Sequence, residues 1–352
     1  MVVSETTPQP KVSEAALKRR IKKQQELARL RDVSVYERED VGYASNRFIQ
    51  ATFPYTDTGE TRYVARNGNL TITITSLGDY GLPYGTYPRL LMLWLTMAVM
   101  ANAEKYEEDD PERLVINFGT NLTGFMRKLG LKSRVGTYVD KDGKKHISTS
   151  ARLEEQIRRL FNVNINVQQL IESGDEHELN TTNTLASQRL TLRWFDNSES
   201  NPAKTVAADS HVVLSPQFFD LLKANPVPVD LGMLRQLQRS PLAIDVFCWL
   251  TYRSFTSRTP FVVPTKELMK QFGTRLDPEN SADRRDFMRK FEKAIGKIHE
   301  VWPESGAVLK NGEQRVHVRG ATKGVIVYPF LNPSVPRKNP NLASKNRRGK
   351  AL

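Results

Sequence analysis

The sequence contains few of the residues that form disulfides or bind metals. It contains one cysteine, Cys248, and five histidines among 352 residues. A single cysteine excludes internal disulfides and a cysteine-rich zinc finger. The apolar neighbours of Cys248 predict a buried, inert thiol and a reducing compartment. Because the histidines are scattered, without a His-x-His pair or a His-Glu-x-x-His motif, we expect neither a metal ion nor a cofactor.

Long apolar runs and nucleotide-binding loops are also missing. The longest apolar stretch, Leu90 to Ala101, contains Thr96 and is too short to span a bilayer. No apolar segment of a secretory signal follows the N-terminal charges, so we expect a cytoplasmic protein without a membrane partner. The absence of G-x-x-x-x-G-K-[ST] argues against a P-loop ATPase. Tyr84 and Tyr87 have no activating group nearby in the sequence, and we expect them to pack in a turn rather than to act as catalytic residues.

Positive charge is abundant and unevenly placed. The net charge is +13, and the pI is near 9.7. Lys and Arg exceed Asp and Glu by four over residues 1–35, by seven over 231–330 and by six over 333–352. Such a balance predicts a polyanionic partner, either nucleic acid or an anionic membrane.

Hydrophobic periodicity predicts an α+β fold of two tandem winged-helix-like domains with an N-terminal basic helix. An Asn67-Gly68 turn predicts a hairpin over 61–76. The order helix, strand, helix, helix, strand, strand follows from residue 88 and recurs from residue 241, which is typical of winged helices. The polar stretch Glu172 to Asn183 is predicted to be a loop, and residues 225–229 a break.

These patterns divide the chain into four parts. Residues 1–35 are a disordered lead and a basic helix, which Ser13 can cap. Residues 36–214 form the first winged-helix-like domain with a preceding β-hairpin. Residues 215–330 form the second, DNA-binding domain, and 331–352 a disordered basic tail.

The strongest functional pattern is a predicted helix over 282–302. Phe287, Phe291, Ile295 and Ile298 mark its apolar face. Its cations form a broad basic face: Arg284, Arg285, Arg289, Lys290, Lys293 and Lys297. Further cations lie on or near the predicted wing that follows: Lys310, Arg315, Arg319 and Lys323.

Two interpretations of this basic helix compete. On its own, it is as well explained by an ordinary solvated face. Together with the cations of the wing, it favours DNA binding, because Arg can read guanine bidentately and Lys serves as a point charge for phosphate. The matching helix of the first domain, residues 150–161, is less basic, and we expect it to contact the DNA backbone or to dimerise.

Four segments resemble plasmid-encoded RepA-type replication initiators. They are Gly81–Leu95, Leu122–Leu131, Gln156–Phe161 and Ser240–Arg253. The resemblance implies a protein of the bacterial cytoplasm that binds repeated sites in double-stranded origin DNA and helps to open the duplex. It also implies recruitment of host replication proteins such as a helicase and an initiator, and a capacity to form homodimers. Residues 97–102 depart from the more polar, basic continuation expected after the Trp94 helix, which puts any partner contact there in doubt.

Two other functions remain open. A winged-helix transcriptional regulator or autorepressor would need the same groove chemistry, so the sequence barely separates it from an initiator. A tyrosine nuclease would need an His-x-His pair or an Arg/His/Tyr set, and neither is evident. We therefore expect a DNA-binding protein that is not an enzyme.

Overall fold

The computed structural model describes most of the chain. The described residues are 13–119, 121–131, 138–139, 145–173, 176–192, 210–256, 259–273, 275–303, 305, 307–308, 324–327 and 334–336. Within them, helices alternate with small antiparallel sheets. The predicted mixture of helix and sheet is confirmed, whereas the predicted disordered lead lies outside the described residues, as does the tail apart from 334–336.

The N-terminal elements follow the predicted pattern closely. They are α1 (Glu14–Asp32), β1 (Val41–Ala44), α2 (Asn46–Gln50), β2 (Arg62–Asn67) and β3 (Leu70–Ser76). The predicted cap is confirmed, because the Ser13 hydroxyl accepts a hydrogen bond from the Ala16 amide. The hairpin is confirmed as well: β2 pairs with β3, and Gly68 takes the positive φ of 56° that the turn needs.

The strands in the middle of the chain belong to three sheets. Its elements are α3 (Thr86–Lys105), β4 (Val115–Gly119), α4 (Leu122–Lys128), β5 (Tyr138–Val139), β6 (Lys145–His146), α5 (Thr149–Phe161), β7 (Val163–Ser173), β8 (Glu176–Leu185), β9 (Ser187–Thr191) and β10 (Ser210–Leu214). The strand orders are β2-β3-β7-β8 and β4-β10-β9, while β5 pairs only with β6. The loop predicted over 172–183 is wrong, because β7 and β8 form a long antiparallel pair there.

The last third of the chain carries most of the net positive charge. Its elements are α6 (Pro216–Lys223), β11 (Val227–Asp230), α7 (Leu231–Leu237), α8 (Pro241–Thr256), β12 (Phe261–Pro264), α9 (Thr265–Phe272), α10 (Ser281–Val301), β13 (Ala307–Val308) and β14 (Gly324–Val327). The strands β12, β14 and β13 form one sheet in that order. The break predicted at 225–229 is partly wrong, because β11 begins at Val227.

Strand β11 joins distant parts of the chain. It pairs antiparallel with β1, so that Val41 lies opposite Asp230. Beside this pair, the buried Arg38 guanidinium binds Asp230 at 2.5 Å and Asp40 at 2.7 Å. The two strands lie on opposite sides of the predicted boundary after residue 214, which itself stays a prediction.

The segments that carry the family resemblance meet in the core. Arg89 of α3 forms a bidentate ion pair with Asp245 of α8, at 2.8 and 2.7 Å, and both side chains are buried. Arg159 of α5 donates to the Leu82 carbonyl at 3.0 Å. Specific polar contacts therefore hold together segments that are far apart in the sequence. The motifs that carry the resemblance thus have a structural role in the core.

Candidate nucleic-acid interface

Helix α10 is built as the sequence predicts, with each end shifted by one residue. The Asn280 side chain caps it by accepting from the Ala282 amide at 2.8 Å. Its apolar face is buried against the rest of the domain, with Phe287, Phe291, Ile295 and Ile298 each at most 2% exposed. A helix anchored along this face presents its opposite side to solvent.

Arg285 and Arg289 occupy that solvent side. Arg285 is exposed, and it forms no ion pair with any described residue. The Arg289 side chain is 77% exposed. Both guanidinium groups therefore extend from one exposed side of α10, in its N-terminal half.

Asp286 partly neutralises this surface. Its carboxylate binds both Arg289 and Lys290, the latter at 2.7 Å. Hydrogen bonds from Lys290 and Arg289 hold the pKa of the Asp286 carboxyl below its ordinary value. The group is thus ionised at neutral pH and competes with any phosphate for the two cations.

Arg284 is held differently from its neighbours. Its Nη1 donates to the backbone carbonyls of Pro278 and Glu279, each at 2.8 Å. The guanidinium thereby ties down the loop that enters α10. Arg284, a predicted site residue, is therefore engaged by its own chain and is not free at the surface.

Two of the remaining cations of α10, Lys290 and Lys297, lie at other angles around the helix, whereas Lys293 lies about 40° from Arg289. At about 100° per residue, Lys290 and Lys297 lie within about 20° of each other, and Arg285 lies about 140° from Lys290. Lys290, Lys293 and Lys297 line a cleft against the start of α8. The predicted basic stripe is therefore divided between an outer face and the rim of a cleft.

The predicted wing falls largely outside the described residues. Strand β13 pairs with β14, with Ala307 opposite Val327, so that the two strands are antiparallel as predicted. The predicted cations Lys310, Arg315, Arg319 and Lys323 lie between these strands, in residues that the structure does not describe. Their contribution stays a prediction.

The basic helix α1 lies against the end of α10, a contact that the sequence did not predict. Lys23 forms an ion pair with Glu300 at 2.7 Å, and Arg31 donates to the Glu300 carbonyl at 2.8 Å. The cations in the first half of α1 are exposed: Lys18, Arg19, Arg20 and Lys22. A second basic helix is thereby fixed at the C-terminal end of α10.

The tyrosines that could attack phosphate are poorly placed for it. The Tyr84 ring packs under the Arg159 guanidinium, 5.1 Å from its carbon to the ring centroid. Burial raises the pKa values of Tyr84 and Tyr87 above the ordinary value, which disfavours the nucleophilic phenolate.

The described residues offer neither a metal-binding cluster nor a membrane-spanning helix. They contain no group of three or more His, Cys, Asp or Glu side chains that could hold a metal ion. None of the helices in this part of the chain has the length and apolar content of a membrane span.

The fold and the exposed arginine face define a mixed helix-and-sheet protein with a basic surface suited to a polyanion. The profile of the family described as plasmid encoded RepA protein matches residues 82–259, slightly more than half of the chain. The chain belongs to this family, which confirms the resemblance. No curated protein matches the sequence.

Two solved structures are similar at low identity. One is a crystal structure of selenomethionine derivatives of domain 2 and domain 3 of RctB, at 11% identity and a TM-score of 0.43. The matched region covers 82% of this chain and 99% of the RctB chain. The other is a crystal structure of RctB domains 2-3, at 11% identity and a TM-score of 0.41, which covers 82% of this chain and 97% of that one.

Proposed function

We propose that this protein is a plasmid replication initiator, without enzymatic activity, that binds repeated origin sites in double-stranded DNA in the bacterial cytoplasm. The observation that carries the proposal is the pair Arg285 and Arg289, exposed together on α10 of a chain from the plasmid encoded RepA family. Arg is the residue that most often reads guanine in the major groove. An α-helix fits that groove, so α10 is the proposed recognition helix.

The elements around α10 support a winged-helix interpretation. A strand, two helices and an antiparallel strand pair follow one another as β12, α9, α10, β13 and β14. In a winged helix, the second helix enters the major groove and the strand pair flanks it. We propose that Lys310, Arg315, Arg319 and Lys323 hold phosphates beside the groove, and that α1 extends these contacts.

The first unit has the same proposed architecture but a different role. Two cations of α5 are paired locally, Arg158 with Glu154 at 2.7 Å and Arg159 with Glu155 at 2.8 Å, whereas Arg152 is exposed. The Arg159 side chain is also only 13% exposed and is held by Asp57 at 3.0 Å, so it is not available to a base. We propose that this unit contacts the DNA backbone or a second copy of the chain, and that the whole protein promotes origin opening and recruits host replication proteins.

Footprinting on the DNA that adjoins this protein's own coding region tests the proposal. We expect protection of several regularly spaced repeats, since an origin-binding initiator occupies tandem sites. Protection of a single promoter operator would instead favour the transcriptional regulator or autorepressor. Absence of any protected sequence would contradict both functions. Nicking of supercoiled origin plasmid in the presence of a divalent metal would contradict the assignment as a non-enzyme.

An Asp286→Asn protein should bind duplex DNA more tightly. The change releases Arg289, which lies on the proposed groove-reading side, from its carboxylate. The slope of log affinity against log salt should steepen by about 1, because each phosphate that is neutralised contributes about 0.9. Fluorescence anisotropy titrations over a range of salt concentrations measure both quantities.

Glu292→Gln is the matched control for this prediction. Glu292 is exposed on the same helix and forms no ion pair with any described residue. The substitution removes the same charge without releasing a cation. Equal effects of the two substitutions would show that Arg289 does not meet the DNA.

A further inference from the structure

A cleft of about 480 Å³ lies between the middle of α10 and the start of α8. Lys290, Lys293 and Lys297 stand on the α10 side. The opposite side is formed by residues 240–242, where α8 begins, and by residues 54–56 and Thr58. The cleft is thus assembled from segments far apart in the sequence.

The rim of the cleft is strongly positive. Its lining includes five cations and no carboxylate: Arg239, Arg275, Lys290, Lys293 and Lys297. Of these, Arg239, Lys293 and Lys297 form no ion pair with any described residue, whereas Arg275 is paired with Glu60 at 3.1 Å and Lys290 with Asp286 at 2.7 Å. The N-terminal end of α8 adds the positive end of its helix dipole to the same rim.

The floor of the cleft is apolar. Leu242 and Leu276 are half-buried and contribute part of their surface to it. Phe287 and Ala294 of α10 close the bottom and are almost fully buried. An apolar floor surrounded by cations suits a ligand with an apolar group at its centre and negative charges around it.

The aromatic residues of the cleft do not offer a base-stacking surface. Phe272 and Phe287 are each 2% exposed, so their rings are covered by the core. One face of the Tyr55 ring is occupied by the Arg89 guanidinium, 4.7 Å from its centroid. Sites for single-stranded nucleic acid combine cations with exposed aromatic faces, and this cleft has only the cations.

Much of the cleft lies to one side of the proposed groove-reading face. Its cations Lys290 and Lys297 lie about 140° and 120° around α10 from Arg285, whereas Lys293 lies about 40° from Arg289. Arg239 lies outside α10, so a ligand bound there need not displace a duplex that is read by Arg285 and Arg289.

We propose that this cleft binds a short acidic peptide segment of a partner protein. An apolar side chain of the segment fills the floor at Leu242 and Leu276, and its carboxylates pair with Arg239 and Lys293. This cleft would be the site at which the proposed initiator recruits a partner protein. Only the role of that partner rests on the proposed function.

Fluorescence anisotropy with the full-length protein tests this site. The probes are fluorescein-labelled short peptides that combine Asp and Glu with one Leu and one Phe. Two control peptide sets replace either the acidic residues by Asn and Gln or the apolar residues by Ser. We expect the acidic apolar peptides to bind, both control sets to bind at least about tenfold more weakly, and Arg239→Glu or Lys293→Glu to weaken binding by about tenfold.

Lys223→Glu is the control variant, because Lys223 is exposed on α6 and does not line the cleft. It should leave peptide binding unchanged. Equal binding of neutral and acidic peptides, or peptide binding that is unaffected by Arg239→Glu, would overturn the proposal. So would binding of labelled oligothymidylate that Arg239→Glu abolishes, because the cleft would then be a site for single-stranded nucleic acid.

Duplex footprinting is run in parallel on the Arg239→Glu protein. Arg239 is outside the proposed groove-reading set, so the footprint should persist when peptide binding is abolished. A footprint that is absent in the unmodified protein would count against the proposed function alone. If the unmodified protein gives a footprint and the Arg239→Glu protein does not, the cleft and the groove-reading face are not separate surfaces.

Discussion

An Arg89→Met protein should lose about 3–5 kcal/mol of unfolding free energy. The substitution leaves the Asp245 carboxylate buried without its partner, and removing one member of a buried ion pair carries a cost of this size. Arg89 also donates to the carbonyls of Phe53 and Gly85, at 2.7 and 2.6 Å, and the substitution removes the donor from both. Urea denaturation followed by tryptophan fluorescence measures the destabilisation.

Two controls separate this effect from a general loss of positive charge. The double variant Arg89→Met, Asp245→Leu should recover much of the stability, because it removes the unpaired charge. The surface variant Lys266→Met breaks the exposed pair with Glu279 and should cost less than about 1 kcal/mol. A destabilisation below about 1 kcal/mol for Arg89→Met would contradict the role given to the buried pair.

Replacing both Arg285 and Arg289 by alanine should abolish most discrimination between the cognate site and random duplex. Removal of each arginine that reads a base should cost about 1–3 kcal/mol of binding free energy. Neither side chain packs in the core, so the variant should keep the melting temperature of the unmodified protein. Competition titrations with cognate and random duplexes measure the specificity ratio.

Arg66→Ala is the matched control for the double substitution. Arg66 is an exposed arginine on β2 and forms no ion pair with any described residue. Its removal should leave the ratio of cognate to random affinity unchanged. An unaltered ratio in the Arg285 and Arg289 variant would remove α10 as the reading helix.

The sequence predicted those elements that have a regular hydrophobic pattern and a capping or turn residue at their ends. Helix α10 has a regular apolar face and the hairpin at Gly68 has its turn dipeptide, so both were found within one residue. Strand β8 was missed because most of its described residues are polar and exposed, and its apolar residues Leu179 and Leu185 show no regular alternation. Its stability comes from pairing with β7, which a single strand's sequence does not reveal.

The candidate site was predictable only where its parts are local. The competition of Asp286 for nearby cations was visible as a spacing of three and four residues along one helix. The docking of α1 on Glu300 was not, because it joins residues more than 260 positions apart. The cleft was also missed, since its cations become neighbours only when α8, α10 and residues 54–58 pack together.

The pairing of β1 with β11 limits how the protein can be dissected for experiments. A fragment starting at residue 215 would display β11 with a bare edge, and Asp230 would be deprived of the guanidinium of Arg38. Bare edges recruit other chains. Fragments intended to isolate the basic helix α10 are therefore better made by retaining the segment around β1, joined through a linker, than by simple truncation.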